Sequence, residues 1–118
     1  MAMRVKATRE GNIGQRTATN YRIETVVPFV ALPSYAAIRL WVKVTNPANG
    51  KSIRALVLDV GPWETEDHAY VFDGARPFAE CGFDRHGRRT NRAGIDLGER
   101  VWRELEMTDN TEVEWEFL

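Results

Sequence analysis

The sequence predicts a mainly β domain closed into a small barrel, and two observations carry that reading. Ile38, Leu40, Val42 and Val44 alternate with Arg39, Trp41, Lys43 and Thr45, and Val113, Trp115 and Phe117 alternate with Glu112, Glu114 and Glu116. Both runs have the period-two pattern of a strand with one face buried. Elsewhere short apolar runs are set off by Gly, Pro and Asn, and one segment alone has helical spacing. Several short strands with so little helix leave exposed edges unless the sheet closes on itself. The 118 residues fit one compact domain, read as 1–118, and a hydrophobic fraction of 43% is enough to build its core.

Taken in order, residues 1–20 are polar and Gly-containing, and read as an opening strand followed by a loop. From Tyr21 to Phe29, Ile23, Val26, Val27 and Phe29 with Thr25 among them favour a strand, which Pro28 and Pro33 punctuate. The alternating run 38–45 is the clearest strand. NPANG then turns the chain, with Gly50 free to take positive φ. SIRALVLDV follows as a strand whose apolar run is nearly continuous after Arg54, so both of its faces are expected to be covered. The two strands make a hairpin.

Residues 63–93 are loop-rich, with HAYVF as a short strand candidate. IDLGERVWRELEM reads as a helix, with Asp96 as N-cap and Glu99 completing a capping box. Leu97, Val101 and Leu105 share its apolar face, widened by Trp102. TEVEWEFL closes the series as a strand, its acid row read as a solvated face.

Composition excludes several function classes. A net charge of −1 lacks the cationic surface that non-specific nucleic-acid binding needs. No apolar run approaches the ~20 residues of a membrane span. The first residues lack the apolar stretch of a secretory signal, so the chain is expected to be cytoplasmic, delivered by another route, or cut from a longer protein. Cys81 is the single cysteine, which rules out an internal disulfide and reads as a small, partly buried filler. No residue pattern calls for a cofactor. Glu64, Glu66, Asp67 and His68 are ligand types crowded into one loop, a weak metal spacing better read as a solvated acidic loop.

The stretch LPSYAAIRLWVKVTNPANGKSIRALVLDVGPW, with Ile95, Asp96 and Leu97 further on, resembles the rare-lipoprotein-A-like domains. There a Leu-Pro precedes a strand, an Asn-Gly hairpin follows, and the next strand ends in Asp-X-Gly-Pro. The resemblance spans roughly residues 31–63 and 93–106. It implies a six-stranded double-psi β-barrel with one or two short helices, the fold shared by expansins, barwin-like proteins and some lytic transglycosylases. It also implies cleavage or binding of a β-linked glycan, most often peptidoglycan, and hence a cell-wall-facing chain. In the lytic transglycosylases of this fold an aspartate at the strand end acts as general acid/base, and Asp59 stands in that place. The chain departs from the family at two polar positions: Tyr21 stands where a Glu is usual and Phe29 near a usual His.

The residues add their own weights. A carboxyl at Asp59, flanked by Leu58 and Val60, is partly desolvated, which raises its pKa and keeps a proton for a leaving oxygen. Alternatively it accepts backbone N–H bonds and pins a loop. Asp96 is either the helix cap or a second carboxylate beside Asp59, as glycoside hydrolysis requires. Trp63, placed by Gly61 and Pro62, is a stacking platform for a sugar ring or a lid over the barrel end. Tyr21 and Asn91 are candidates to contact the substrate. Arg89, in the basic segment with Arg85, His86 and Arg88, could meet carboxylates of peptide stems. Trp102 and Trp115 fit the core, and Trp41 lies on a polar strand face. The expected activity is thus a lytic-transglycosylase-like glycan cleavage. The alternative is a non-catalytic glycan-binding or structural module of the same fold, part of a phage or secretion assembly.

Overall fold

A computed structural model describes residues 2–118. Its strands are β1 (Met3–Arg9), β2 (Phe29–Leu32), β3 (Trp41–Thr45), β4 (Ser52–Val60), β5 (Ile95–Leu97) and β6 (Glu112–Phe117). Two short helices, α1 (His68–Asp73) and α2 (Glu99–Glu104), and two 3-10 turns at Tyr35–Ala37 and Phe78–Cys81 complete the elements. The strands close into a barrel in the order β1-β5-β2-β4-β3-β6. β1 runs parallel to β5 and β2 parallel to β4, and the other four pairings are antiparallel. Exchanging β1, β2 and β3 for β4, β5 and β6 maps the set of pairings onto itself, so two interlocked halves build the closed six-stranded barrel. The mainly β, six-stranded fold class expected from the sequence is the one observed.

Alternation decides what the barrel contains. Val5, Val30, Leu32, Val42, Val44, Val57, Ile95 and Leu97 are fully buried inside it, and Trp102 and Trp115 also belong to the core. A second apolar cluster lies outside the wall, with Ile23, Phe29 and Leu58 backed by Tyr21, Val27 and Leu56. It covers the outer face of β2 and β4, which explains the unbroken apolar run of SIRALVLDV. Among the described residues no helix is long and apolar enough to cross a membrane.

Four expectations about the elements need correction. The run 21–28 is not a strand: β2 begins at Phe29, because the Glu24 carboxylate accepts the N–H groups of Val26 and Val27 and withdraws them from any ladder. Ile38–Leu40 lie outside β3, since the chain leaves a 3-10 turn and passes Arg39 at φ 69°. HAYVF is helix α1, in which Tyr70 and Val71 are both buried in the same core, so consecutive side chains point inward as no regular strand allows. It ends at Gly74, whose φ of 80° suits glycine.

The fourth concerns residues 95–97, which form β5 rather than the first turn of a helix. Asp96 is therefore no N-cap. α2 starts after Gly98 with no side-chain cap, and Glu99 pairs with Arg9 at 2.6 Å instead of closing a capping box. Cys81 is exposed rather than a buried filler. The acidic loop is not simply solvated either. Glu64 is buried and holds Arg85, buried Asp67 accepts the Phe78 N–H, and His68 Nδ1 lies 2.6 Å from Ser34 Oγ.

Candidate functional site

The site grows from one irregularity in a ladder. Phe29 pairs with Leu56 and Val30 with Val57, but Ala31 pairs with Asp59, so β4 carries one extra residue, Leu58. Ala55 and Val57 face the core. Strict alternation would therefore turn Asp59 into the barrel as well. The bulge at Leu58 resets the parity and sends Asp59 to the outer face. Gly61, at φ 141°, follows in a conformation that glycine tolerates.

Cross-strand register then assembles the neighbours. Asp59 on β4 is level with Ala31 on β2, Ala31 with Asp96 on β5, and Asp96 with Thr8 on β1. Ile95 and Leu97 face the core, so Asp96 faces outward, on the side to which the bulge turns Asp59. With neighbouring strands about 4.8 Å apart, the two aspartates start from Cα atoms about 10 Å apart, with only small Ala31 between. Glu10 fills the gap. Its N–H donates to Leu97 O at 2.8 Å, which carries the β1 backbone one residue beyond the strand, and its carboxyl lies within hydrogen-bonding reach of both aspartates.

Three carboxyl groups this close cannot all ionise. Burial pushes Glu10 up to about 9, helped by its hydrogen bonds to Asp59 and Asp96 and by their charges. Burial also raises Asp96, to about 6. Hydrogen bonds from Thr8 and Glu10 oppose that rise, and the Asp59 charge adds to it. At neutral pH Glu10 thus keeps its proton and can donate it, while the aspartates accept. Thr8 Oγ1 donates to Asp96 Oδ1 and orients it.

The segment 17–21 docks on the bulge. Thr19 Oγ1 donates to Leu58 O at 2.9 Å, and Ala18 N–H donates to Asp59 Oδ1 at 2.9 Å. The Val60 N–H donates to the same oxygen at 2.9 Å. Asp59 therefore anchors a loop, one of its two readings, while remaining partly exposed with Oδ2 outside these bonds.

The other sequence candidates divide. Asp59 and Asp96 come together. Trp63 and Asn91 also come together, Trp63 Nε1 donating to Asn91 Oδ1 at 2.8 Å. Trp63 is two residues from Gly61, whose Cβ position would lie 3.8 Å from Asp96 Oδ2, so this pair is chained to the carboxylates by a short turn. The Asn91 amide oxygen also accepts the Ala93 N–H, so its own amide hydrogens are what remain for a ligand. Tyr21 is spent differently: its hydroxyl donates to Glu24 and its ring meets Phe29 edge-on. Its backbone closes the 17–21 turn, so it positions the loop rather than facing the carboxylates. Arg89 lies over Phe83, beside Gly82, Thr90 and Arg92, away from the cluster. Among the described residues no group of three or more His, Cys, Asp or Glu is arranged to hold a metal ion.

Sequence reasoning missed Glu10 and Thr8. Both continue the outward parity of β1, yet nothing local marks them, because their partners are some fifty and ninety residues away.

Comparison with known proteins follows this geometry in outline only. Residues 1–77 match a family described as a domain of unknown function (DUF8814), a span that holds Glu10 and Asp59 but ends before Asp96. No curated protein matches the chain. Among solved structures, a Streptomyces papain inhibitor aligns over 100% of this chain and 94% of its own, with a TM-score of 0.59 and 19% identity. At that identity the likeness shows the fold alone.

Proposed function

We propose, for a chain that belongs to the DUF8814 family, cleavage of a β-linked glycan of the peptidoglycan class in a lytic-transglycosylase-like reaction. The observation that carries the reading is Glu10, partly buried and within hydrogen-bonding reach of both Asp59 and Asp96. A carboxylic acid kept neutral beside an ionised one is the division of labour that breaking a glycosidic bond needs. Glu10 gives its proton to the bridging oxygen as the bond to the anomeric carbon breaks. Asp59 faces the positive charge that develops there. A hydroxyl of the same sugar closes onto the anomeric carbon, and its proton returns to Glu10. No water enters the sum and the cluster ends as it began. Trp63 and Asn91, on the adjoining turn, supply a ring to stack on and an amide to hold a hydroxyl.

The sequence resemblance placed the acid/base at Asp59. The cluster supports Glu10 as proton donor instead, with Asp59 as the electrostatic partner. The test is muropeptide release from purified sacculi. Glu10→Gln and Asp59→Asn are each expected to lower the rate by about 10²- to 10⁴-fold, with circular dichroism showing the fold intact. A Glu10→Gln protein as fast as the parent overturns the assignment.

A second reading, a glycan-binding or structural module without catalysis, is favoured by the bonds from Ala18 and Val60 to Asp59. Phe29, near the place where rare-lipoprotein-A-like domains usually carry a His, is fully buried and apolar, which also favours it. Retention on insoluble peptidoglycan with no soluble product decides for that module.

A further inference from the structure

Away from the carboxylates, on the outer face where β3 meets β4, lies a concavity of about 570 Å³ lined by Arg39, Leu40, Trp41, Arg54 and Leu118. Trp41, the first residue of β3 and opposite Leu56 at the end of the β3–β4 ladder, is 50% exposed, with its neighbour Val42 fully buried. The backbone there is fixed: Arg39 N–H donates to Val57 O at 2.8 Å and Val57 N–H to Leu40 O at 3.0 Å. The indole is thus a flat apolar face held on a rigid strand and left open.

The side-chain charges around it are all of one sign. Six arginines, Arg4, Arg9, Arg76, Arg85, Arg88 and Arg100, pair with a carboxylate. The side chains of Arg39 and Arg54 are exposed and make no hydrogen bond or ion pair among the described residues. Arg54 is also level with Lys43 across the ladder. Like charges opposite one another on a strand pair are unfavourable. Lys43 has Glu116 on its other side, on β6, and Arg54 has no acidic residue level with it. Two guanidiniums and an exposed indole lining one concavity make a site short of one anion. Arg presents a planar fork that fits a carboxylate with two parallel bonds.

We propose that Trp41, Arg39 and Arg54 form a subsite for a carboxylate-bearing sugar, the indole taking the ring and the guanidiniums its acid group. The inference rests on the glycan reading, and it names the substrate class as an acidic glycan. Leu56, level with Trp41, is three residues from Asp59 on the same strand, about 10 Å along its axis, and the segment 17–28 covers the strand face between them.

The test is titration calorimetry at low ionic strength on the full chain. The probes are β-1,4-linked oligosaccharides alternating N-acetylglucosamine and N-acetylmuramic acid, with the lactyl carboxylates free or methyl-esterified. The free acid is expected to bind roughly tenfold tighter than the ester, and the gap to close with added salt. Arg39→Gln/Arg54→Gln is expected to remove the gap and leave ester binding unchanged, whereas Trp41→Ala weakens both forms by a similar factor. Equal affinity for acid and ester overturns the proposal, as does a gap that survives the double substitution or the absence of binding to either form. A glutamate-rich peptide that binds tighter than the free-acid sugar overturns it in favour of a protein ligand. The readout is binding, so it separates from the catalytic reading. Selective binding with no cleavage sinks only the enzyme, and cleavage indifferent to the carboxylates sinks only the subsite.

Discussion

Glu10 is a carboxyl whose surroundings act on stability as well as on chemistry. Its pKa rises from 4.5 to about 9 on folding, so the folded chain holds this proton more tightly than the unfolded one. The stabilisation from protonated Glu10 is complete below about 4.5 and lost as pH climbs through about 9. Asp96 adds the same sign over a narrower span, from 3.8 to about 6. The melting temperature is therefore expected to fall between about pH 5 and about pH 9. Glu10→Gln keeps a hydrogen-bonding amide and cannot ionise, so its profile is expected to be flatter and to lie above the parent's on the alkaline side. Thermal melts across that range check it, and a parent profile without slope would mean that Glu10 ionises as an exposed carboxyl does. The same substitution is expected to slow glycan cleavage. One residue thus trades alkaline stability for a proton available at neutral pH, as functional sites commonly do.

The elements around that residue were legible in the sequence to the degree that their signal was local. β4 and β6 are legible at nearly their true bounds, and the expected strand 38–45 is right in its second half, which is β3, because Val42, Val44, Ala55, Val57, Val113 and Trp115 face the core at every second position. The short β5 was hidden. Ile-Asp-Leu before Gly-Glu-Arg has the look of a capped helix, and only pairing with β1 and β2 makes it a strand. The Leu58 bulge was hidden too, since a parity change shows only against the partner strand, and with it went the reason Asp59 faces outward. Asp59 and Asp96 were recognisable as residues, but Glu10 was not, because register alone brings it to them. Gly98 shows how tightly that register is packed. Its φ of −65° would suit any residue, yet a Cβ there would stand 2.5 Å from the buried Phe29 ring. Its N–H also donates to Phe29 O at 3.0 Å, so the start of α2 lies against β2 with no room between. Gly98→Ala is expected to cost about 1–3 kcal/mol in urea unfolding, and trimming the ring with Phe29→Leu to recover part of the packing conflict. A neutral Gly98→Ala would mean that α2 can withdraw from β2 freely.

At the scale of the whole molecule, the barrel must also hold a long excursion. Residues 61–94 leave at the end of β4 and return at β5, and they carry both Trp63 and Asn91. Much of that segment is irregular, so its order has to come from anchors. One hydroxyl makes two of them. Tyr70 on α1 is fully buried; its OH donates to Gly94 O at 2.9 Å and accepts from Trp115 Nε1 at 2.7 Å. The helix at the start of the excursion, the residue at its return and the barrel wall on β6 are thus joined at a single oxygen. Gly94 leaves space for it, since a Cβ there would come within 3.0 Å of that hydroxyl. Tyr70→Phe keeps the ring and its edge-on contact with Trp115 but strands a buried donor and a buried acceptor. The expected loss is about 2–3 kcal/mol, because an unsatisfied buried polar group forfeits its desolvation cost in full. If the excursion and the barrel form one cooperative unit, urea unfolding of the variant shows a single transition with the parent's slope and a lower midpoint. If the excursion melts first, a separate early transition splits off and Trp63 fluorescence changes ahead of far-ultraviolet dichroism. That outcome would remove the rigid turn from the account of how a sugar ring is held beside Glu10. Coincident transitions would mean instead that the stacking surface is as well fixed as the carboxylates, since barrel closure stabilises both.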